Sequence, residues 1–166
     1  MTVTAHNLAA AISWASTLHS KQLDRGGNPY ILHPLYVMNE VSREQFDSEE
    51  DKFRAMIVAV CHDTIEDCFE NKANGFIQFS EIVTNDQATV KALRLVTHSS
   101  DDSYEDMIVM ISTNKIARLV KIHDLRHNTQ LTRLKGITDK DVLRMKKYMR
   151  AYAYLTGGSD LIYKAG

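Results

Sequence analysis

Three short segments of the chain carry the residue types that bind metal ions, and each contains a histidine. In chain order they are Tyr30-Ile31-Leu32-His33-Pro34, Cys61-His62-Asp63-Thr64-Ile65-Glu66-Asp67 and Lys121-Ile122-His123-Asp124-Leu125-Arg126-His127-Asn128. Together they supply imidazoles and carboxylates for a metal, and a further acidic pair follows the central His-Asp dipeptide. This inventory is typical of a metal-dependent phosphohydrolase, and no other part of the sequence indicates a chemistry.

The candidate metal ligands are His33, His62, Asp63 and Asp124. A structural zinc site would carry four thiolates, whereas this mixed nitrogen and oxygen set suits Mn²⁺, Fe²⁺, Ni²⁺ or Zn²⁺. A metal with open positions lowers the pKa of bound water and polarises a phosphoryl oxygen. A single His-Asp dipeptide is weak evidence in a chain with seven histidines. The retention of carboxylates at the end of a buried apolar helix strengthens it, because unpaired charge is costly there.

Glu66 and Asp67 are the candidate acid and base groups. Residues four apart on a helix share a face, so Glu66 would lie one turn beyond His62 and Asp67 one turn beyond Asp63 if that helix continues. Carboxylates in those places can orient or deprotonate a water molecule and protonate the leaving group. The alternative interpretation is that both are ordinary surface acids.

A later helix is predicted to place Lys121, Asp124 and Asn128 along one stripe, which offers a cation, a ligand and an amide side by side. Basic residues are dense from 115 to 150, whereas the stretch from 40 to 70 is acidic. The basic stretch is interpreted first as a solvated helix face. In the alternative interpretation, some of its cations face a phosphorylated substrate.

Composition places the chain among ordinary globular proteins. Its 166 residues, 44% hydrophobic and 25% charged, suit a single domain over residues 1–166. A net charge of -1 argues against a nucleic-acid binder. No apolar run is long enough to span a membrane, and the N-terminus lacks signal-peptide features. Two cysteines are too few for a disulfide framework, so we expect reduced thiols and a cytoplasmic location.

Helical periodicity runs through nearly the whole sequence and predicts an all-α fold. The helix from Glu49 carries apolar residues at 53, 56, 57, 60 and 61, so we expect it to be buried and central. The other predicted helices run from a Thr4 cap to about Lys21, over a short stretch with Pro34 in its first turn, around 79–84, over 86–97, from Tyr104, from Asn114, and from a Thr138 cap to about Leu155. Predicted breaks lie at 24–29, at 71–75, in a polar linker at 99–103, at Gly136 and at Gly157-Gly158.

Four motifs in this order resemble the hydrolase domain of the RelA/SpoT alarmone enzymes. They are His19-x-x-Gln22, Gly27-x-Pro29-Tyr30-Ile31-Leu32-His33-Pro34, His62-Asp63-Thr64-Ile65-Glu66-Asp67 and Lys121-x-x-Asp124-x-x-x-Asn128. The resemblance covers about residues 8 to 155, and the stand-alone form, the small alarmone hydrolases, matches the chain in length. These enzymes belong to the HD-domain phosphohydrolase superfamily, so the resemblance implies a compact HD-domain helical bundle.

The resemblance also implies an activity. The four candidate ligands would bind one Mn²⁺ per chain, Glu66 and Asp67 would be the catalytic pair, and Asn128 would hold the nucleotide. The reaction would remove the 3′-pyrophosphate of guanosine tetra- or pentaphosphate (ppGpp or pppGpp) to give GDP or GTP and pyrophosphate. A chain of this length lacks room for the family's synthetase and regulatory domains, so degradation alone is expected. The partner would be a small nucleotide of the stringent response.

The sequence departs from the family pattern at two places. Asp24 stands where the family has an arginine that packs on guanine, and Arg25 stands at the following lysine position. Either Arg25 takes over the base contact through a loop shifted at Gly26-Gly27, or base recognition differs. His123 replaces the alanine before the ligand aspartate, and we interpret it as a core histidine rather than a partner of the metal ligands.

Other functions remain open at this stage. Asp24 favours, as the second choice, an HD-domain phosphohydrolase for another nucleotide, such as an adenine alarmone or a nucleoside phosphate. A non-catalytic nucleotide sensor would not need both Glu66 and Asp67, and a purely structural helical module leaves the clustered ligands unexplained. The candidate substrate contacts are Arg25, Lys121 and Asn128. The sequence does not indicate an oligomeric state.

Overall fold

The computed structural model of the chain describes residues 2–98, 103–133 and 136–157. Its helices are α1 Ala5–Leu18, α2 Leu32–Val41, α3 Glu49–Cys61, α4 Thr64–Cys68, α5 Lys72–Ile82, α6 Gln87–Val96, α7 Tyr104–Ser112, α8 Lys115–Asn128 and α9 Asp139–Leu155, with a short 3₁₀ turn at Leu131–Arg133. In these ranges the only β-type pairing is an isolated bridge between Leu23 and Pro29. The predicted all-α fold is confirmed.

Helix α3 lies at the centre of the bundle, as its apolar pattern predicted. It packs against α1, α2, α6 and α8, and every residue from 57 to 61 is fully buried. Its N-terminus is capped by Ser48, whose hydroxyl accepts a hydrogen bond from the Asp51 backbone N–H at 3.0 Å. Glu49, Glu50 and Asp51 in the first turn complement the positive end of the helix dipole. The C-terminal end of the most buried helix therefore points into the interior.

The predicted cap at Thr138 is present, and Asp86 and Asn114, where helices were predicted to start, are capping residues as well. Asp86, Asn114 and Thr138 each accept a hydrogen bond from a backbone N–H in the first turn of the following helix. At Thr138 the side chain of Asp141 completes a capping box. Helix α1 begins after Thr4 as predicted but ends at Leu18, before the expected Lys21.

The break predicted at 71–75 was wrong, because α5 begins at Lys72. The Asn71 side chain caps it by accepting a hydrogen bond from the Ala73 N–H at 2.9 Å. Gly75 lies inside this helix, and a Cβ there would come within 3.0 Å of the Ile65 side chain. This glycine therefore permits close packing of α5 on α4 rather than a turn.

Two predicted breaks fall partly outside the described residues. Of the linker expected at 99–103, Ser103 is described and caps α7 through the Asp106 N–H at 3.1 Å; residues 99–102 are not described. Gly157 ends α9 with a φ of 94°, a conformation that favours glycine. Its neighbour Gly158 lies beyond the described range.

Within the described part of the chain, no helix is long and apolar enough to cross a membrane.

Candidate metal centre and substrate cleft

The four candidate ligands come together from three elements. His33 projects from α2, His62 and Asp63 lie in the turn after α3, and Asp124 belongs to α8. The Nε2 atom of His33 is 3.1 Å from Asp124 Oδ1 and 3.5 Å from Asp63 Oδ2. The Nε2 atom of His62 is 3.0 Å from Asp63 Oδ2 and 3.5 Å from Asp124 Oδ1. Donor atoms of His33, His62 and Asp124 all lie within 4.8 Å of one another.

The residues at this cluster fit a divalent metal. The Nε2 atoms of His33 and His62 are buried and make no hydrogen bond to any described residue. A buried ring nitrogen without a partner is costly, and coordination of a cation removes that cost. Donor atoms that share one ion at about 2.1 Å stand about 3 Å apart, which agrees with the spacings here.

The ring of His62 is fixed by the end of its own helix. Its Nδ1–H donates to the Ala59 carbonyl at 2.8 Å, one of the carbonyls left unpaired at the end of α3. In the neutral ring, this bond leaves the lone pair of Nε2 directed toward Asp63 and Asp124. Such a bond from the second ring nitrogen is the usual support of a metal-binding histidine.

His33 has an unusual support, which is a second histidine. Its Nδ1 lies 2.6 Å from the Nδ1 of His127, so one of the two nitrogens donates and the other accepts. If Nε2 of His33 is the ligand, then Nδ1 of His33 is the donor and His127 accepts. The His127 ring stacks on Tyr36, with 4.0 Å between ring centroids. Sequence reasoning missed this residue, although it lies three residues after Asp124 in the quoted motif.

Each carboxylate of the cluster also has a donor of its own. The Tyr30 hydroxyl donates to Asp63 Oδ2 at 2.6 Å. Lys121 Nζ donates to Asp124 Oδ2 at 2.8 Å, and Asn128 Nδ2 donates to Asp124 Oδ1 at 2.5 Å. The predicted stripe of α8 is therefore present, but Lys121 and Asn128 hold the ligand Asp124 as well as lining the cleft where they were expected to contact substrate.

Mutual pairing keeps the cluster charged although it is buried. Burial opposes ionisation of Asp124, but Lys121 and the two histidines outweigh it and hold the pKa of that carboxyl well below its usual range. Burial also opposes a charged His62, but Asp63 and Asp124 outweigh it and raise the pKa of the imidazole. Asp63 has a lowered pKa because His62 and His33 counter its desolvation. The ionised carboxylates of Asp63 and Asp124 therefore favour the binding of a cation at this cluster.

Glu66 and Asp67 lie on a separate helix, which corrects the expectation that α3 continues through them. Helix α3 ends at Cys61 and α4 begins at Thr64 after a turn. Glu66 lines the cleft beside the ligands, and its Oε2 accepts the His98 backbone N–H at 3.0 Å. Asp67 is exposed, and its Oδ2 accepts from the Gln22 amide at 2.9 Å. Because of the turn between the two helices, Glu66 and Asp67 do not continue along the axis of α3.

The loop that departs from the family pattern is closed by its own acid. Asp24 Oδ1 accepts the backbone N–H groups of Gly26 and Asn28, each at 2.8 Å. Gly27 adopts a φ of 86° within the same loop. Arg25 lines the cleft and forms an ion pair with Asp141 at the start of α9. Asp24 therefore stabilises the conformation of the loop, and Arg25 is held by its ion pair with Asp141 of α9.

Three of the four candidate ligands, His33, Asp63 and Asp124, line a cleft of about 500 Å³. Its wall also contains residues that sequence reasoning did not single out individually: Tyr104, Met107, Arg144, Lys147 and Tyr148. The Lys147 ammonium sits 4.2 Å from the centroid of the Tyr104 ring. Arg144 and Lys147, which belong to the basic stretch from 115 to 150, therefore line the cleft. The sequence pattern alone did not show which basic residues line the cleft and which are solvated.

Two other polar residues of α8 lie away from the cluster of ligands. His123 is buried and its Nε2 is 2.9 Å from Glu44 Oε1, which is the position of a core histidine. Arg118 donates to the Leu155 carbonyl at 2.6 Å and so caps the end of α9.

Comparisons with known proteins point to one group of enzymes. No family model matches the chain. The chain is 26% identical over 128 residues to the guanosine-3′,5′-bis(diphosphate) 3′-pyrophosphohydrolase of Aquifex aeolicus, which covers 76% of this chain and 18% of that protein. It is 28% identical over 129 residues to the bifunctional (p)ppGpp synthase/hydrolase RelA of Mycobacterium tuberculosis, covering 76% and 17%.

A probable GTP pyrophosphokinase of Mycobacterium leprae is 28% identical over 126 residues, covering 74% of this chain and 15% of that protein. The chain thus spans between 15% and 18% of the length of these relatives. Their names include both synthesis and hydrolysis, so they leave the direction of the reaction open. Over about three quarters of its length, the chain is therefore similar to RelA/SpoT-type proteins of (p)ppGpp metabolism, as its motifs indicated.

Proposed function

We propose that this domain is a metal-dependent phosphohydrolase that removes the 3′-pyrophosphate of guanosine tetra- or pentaphosphate. The observation that carries the proposal is the pair of buried Nε2 atoms of His33 and His62, which lack hydrogen-bond partners and face two ionised carboxylates. Coordination of one cation would satisfy both nitrogens and both carboxylates at once. The similarity to proteins named for (p)ppGpp hydrolysis supports the substrate.

The metal that we propose is one Mn²⁺ per chain, held by His33, His62, Asp63 and Asp124. When bound, a divalent ion lowers the pKa of water and polarises a phosphoryl oxygen. The donor set also suits Zn²⁺, Fe²⁺ or Ni²⁺. Mn²⁺ is favoured by the resemblance to the alarmone hydrolases, and metal titration compares the four ions directly.

In the proposed reaction, the oxygen of water forms a bond to the phosphorus that carries the 3′-oxygen, and the bond between that phosphorus and the 3′-oxygen breaks. One proton leaves the water and one reaches the 3′-oxygen, so the products are GDP or GTP and pyrophosphate. Glu66 lines the cleft beside the ligands and is the candidate to take or deliver a proton. Asp67 is its proposed partner on the same helix.

The cleft walls suit a substrate with two pyrophosphate groups. Arg25, Lys121, Arg144 and Lys147 all line the cleft. Guanidinium and ammonium groups are the usual partners of phosphate oxygens, and a cluster of them offsets the repulsion between two highly charged groups. The net charge of the whole chain is only -1, so this concentration of cations is local.

The test is pyrophosphate release from guanosine tetraphosphate with and without Mn²⁺. We expect metal-dependent release that His62→Ala abolishes and that the matched variant His6→Ala, on the exposed start of α1, leaves unchanged. Glu66→Gln should bind the nucleotide but turn it over about 10² to 10⁴ times more slowly. Binding with no turnover in the wild type would instead favour a nucleotide sensor.

A second substrate class is favoured by the loop at 24–28. Asp24 closes that loop and Arg25 is paired with Asp141, so neither residue is arranged as the family arginine that packs on guanine. An adenine alarmone or a nucleoside phosphate would then be the substrate of the same metal centre. A panel of these nucleotides separates the two hypotheses: turnover of another nucleotide with guanosine tetraphosphate left intact would overturn the guanine assignment.

A further inference from the structure

We propose that His19 and Gln22 are positioning residues that hold the carboxylate of Asp67 through a chain of hydrogen bonds running in one direction. This inference rests on the proposed function, in which Asp67 belongs to the acidic pair. It assigns a role to a motif that the metal centre does not use. Neither residue is among the candidate ligands or the residues expected to contact substrate.

Four side chains form the chain of hydrogen bonds. Thr64 Oγ1 lies 3.3 Å from His19 Nε2, and His19 Nδ1 lies 2.7 Å from Gln22 Oε1. The Gln22 amide nitrogen lies 2.9 Å from Asp67 Oδ2. Cys68 Sγ, at 3.6 Å from His19 Nδ1, is a weaker neighbour of the same nitrogen. These contacts link the end of α1 to both ends of α4.

The direction of this chain follows from the chemistry of its last member. An ionised carboxylate only accepts hydrogen bonds, so the Gln22 group that faces Asp67 must be the NH₂. The carbonyl of Gln22 then faces His19, and the nitrogen next to it must be a donor. His19 is therefore protonated on Nδ1, which leaves Nε2 to accept the Thr64 hydroxyl. Reversing either bond of Gln22 would place two acceptors against each other, and in a neutral His19 the remaining nitrogen, Nε2, can only accept.

The two ends of this series of hydrogen bonds differ in burial, and the buried end is the one with fixed geometry. His19 is 1% exposed and Thr64 is fully buried, whereas Asp67 lies at the surface. A surface carboxylate on its own samples several rotamers, and ordering it opposes side-chain entropy. Gln22 transmits the fixed geometry of the buried pair to one oxygen of Asp67. The carboxylate that the proposed function assigns to the acidic pair is then held in one position.

The first experiment determines the tautomer of His19 in the full chain. Long-range ¹H–¹⁵N correlation spectra of the protein with diamagnetic Zn²⁺ distinguish a protonated Nδ1 from a protonated Nε2, and His19→Asn assigns the signals. We expect the Nδ1–H form at neutral pH. The Nε2–H form or an imidazolium would overturn the proposed direction, whether or not the protein hydrolyses guanosine tetraphosphate.

The second experiment removes the donor with little change in shape. Gln22→Met should lower kcat on the order of 10-fold and leave KM nearly unchanged, since the donor acts on Asp67 and not on nucleotide binding. Gln78→Met is the matched control, because that side-chain amide also makes a hydrogen bond to another side chain, from Trp14 at 2.9 Å, but away from the cleft. An unchanged kcat in Gln22→Met would overturn the proposal.

Two amide substitutions at His19 separate positioning from packing. Asparagine can place an N–H where Nδ1 lies, whereas glutamine reaches the place of Nε2 and loses that donor. We expect His19→Asn to retain several times more of kcat than His19→Gln. Equal losses would show that His19 acts only through packing.

A double-mutant cycle links the effect to Asp67. In an Asp67→Ala background, Gln22→Met should have no further effect on kcat, and additive losses would contradict the proposed chain. If the wild-type protein releases no pyrophosphate at all, the proposed function fails, whereas the tautomer measurement still decides the hydrogen-bond chain. The two failures are therefore distinguishable.

Discussion

The floor and the rim of the cleft differ in burial and in the way the chain builds them. We define the floor as His33, His62, Asp63 and Asp124, and the rim as the loop 24–28 together with the first turns of α9. Three of the four floor residues are almost fully buried, and each is held by a neighbouring donor or acceptor. At the rim, the Arg25 side chain is 54% exposed although it is paired with Asp141.

This difference indicates where the site is fixed and where it can vary. Breaking a buried charged pair leaves an uncompensated charge, so the floor tolerates little change. The Arg25–Asp141 ion pair has one exposed member, Arg25, whose replacement should cost little stability, whereas Asp141 is 1% exposed and belongs to the capping box of α9. One of the two departures from the family pattern, at Asp24 and Arg25, lies in the rim, whereas the other, His123, is buried beside Glu44 and away from the ligand cluster. We therefore expect floor substitutions to abolish chemistry and rim substitutions to change substrate binding.

The largest effect is expected at the floor, from Asp124→Asn. This change removes a proposed metal ligand and leaves Lys121 buried without its carboxylate partner. We expect loss of metal binding in calorimetry, loss of turnover, and a decrease of about 3 to 5 kcal/mol in the free energy of unfolding of the metal-free protein. Asp139→Asn, on the exposed first turn of α9, is the control and should match the wild type in metal affinity and in the free energy of unfolding. Retained metal affinity in Asp124→Asn would contradict the ligand assignment.

A smaller effect is expected from the support of the floor, in His127→Phe. Phenylalanine keeps the stacking on Tyr36 but removes the acceptor for His33 Nδ1. Loss of such a supporting hydrogen bond lowers metal affinity about 10- to 100-fold. Competition with a chelating dye measures the affinity without any assay of activity. His127→Asn, which can offer an oxygen near the lost nitrogen, should bind metal more tightly than His127→Phe, and the reverse order would exclude the proposed support.

At the rim, Asp141→Asn is expected to alter binding rather than catalysis. Asp141 pairs with Arg25 and also accepts from Arg144 at 3.1 Å, so one carboxylate orients two cations of the cleft wall. We expect KM for the nucleotide to rise about 3- to 10-fold while kcat stays within about twofold of the wild type. Steady-state kinetics at saturating Mn²⁺ measure both. A decrease in kcat with an unchanged KM would contradict the expectation that rim substitutions change substrate binding and floor substitutions change chemistry.

The smallest effect is a pH dependence of stability at the rim. Hydrogen bonds from Arg25 and Thr138 hold the pKa of Asp141 below its ordinary value. An unfolded aspartate has a pKa of about 3.9, so the contribution is complete above that value and is lost as the pH falls through the folded pKa. Urea unfolding should show a larger difference between wild type and Asp141→Asn at about pH 6 than at about pH 3. An equal difference at both values would show that the carboxylate is not stabilised by these bonds.

The helical fold was largely predictable because its signals are local. Apolar spacing from Glu49 identified the central helix, and Thr138 was predicted as a cap. Helix starts were also predicted at Asp86 and Asn114, which are capping residues in the structure. The prediction was wrong at 71–75, where a glycine was interpreted as a break. Gly75 is required by close packing against Ile65, which is a tertiary contact without a local signal.

The sequence by itself determined which residues form the floor, because the metal-binding types stand in short motifs with recognisable spacing. Tertiary structure alone decided how they are supported and how the wall is completed. Arg25 meets Asp141, 116 residues away, and His33 meets His127, 94 residues away. Helix periodicity relates residues one or two turns apart, but partners at such distances are set by the packing of α2, α8 and α9 around the core. The turn at His62 and Asp63, which directs the acidic pair onto α4, likewise belongs to the packed fold.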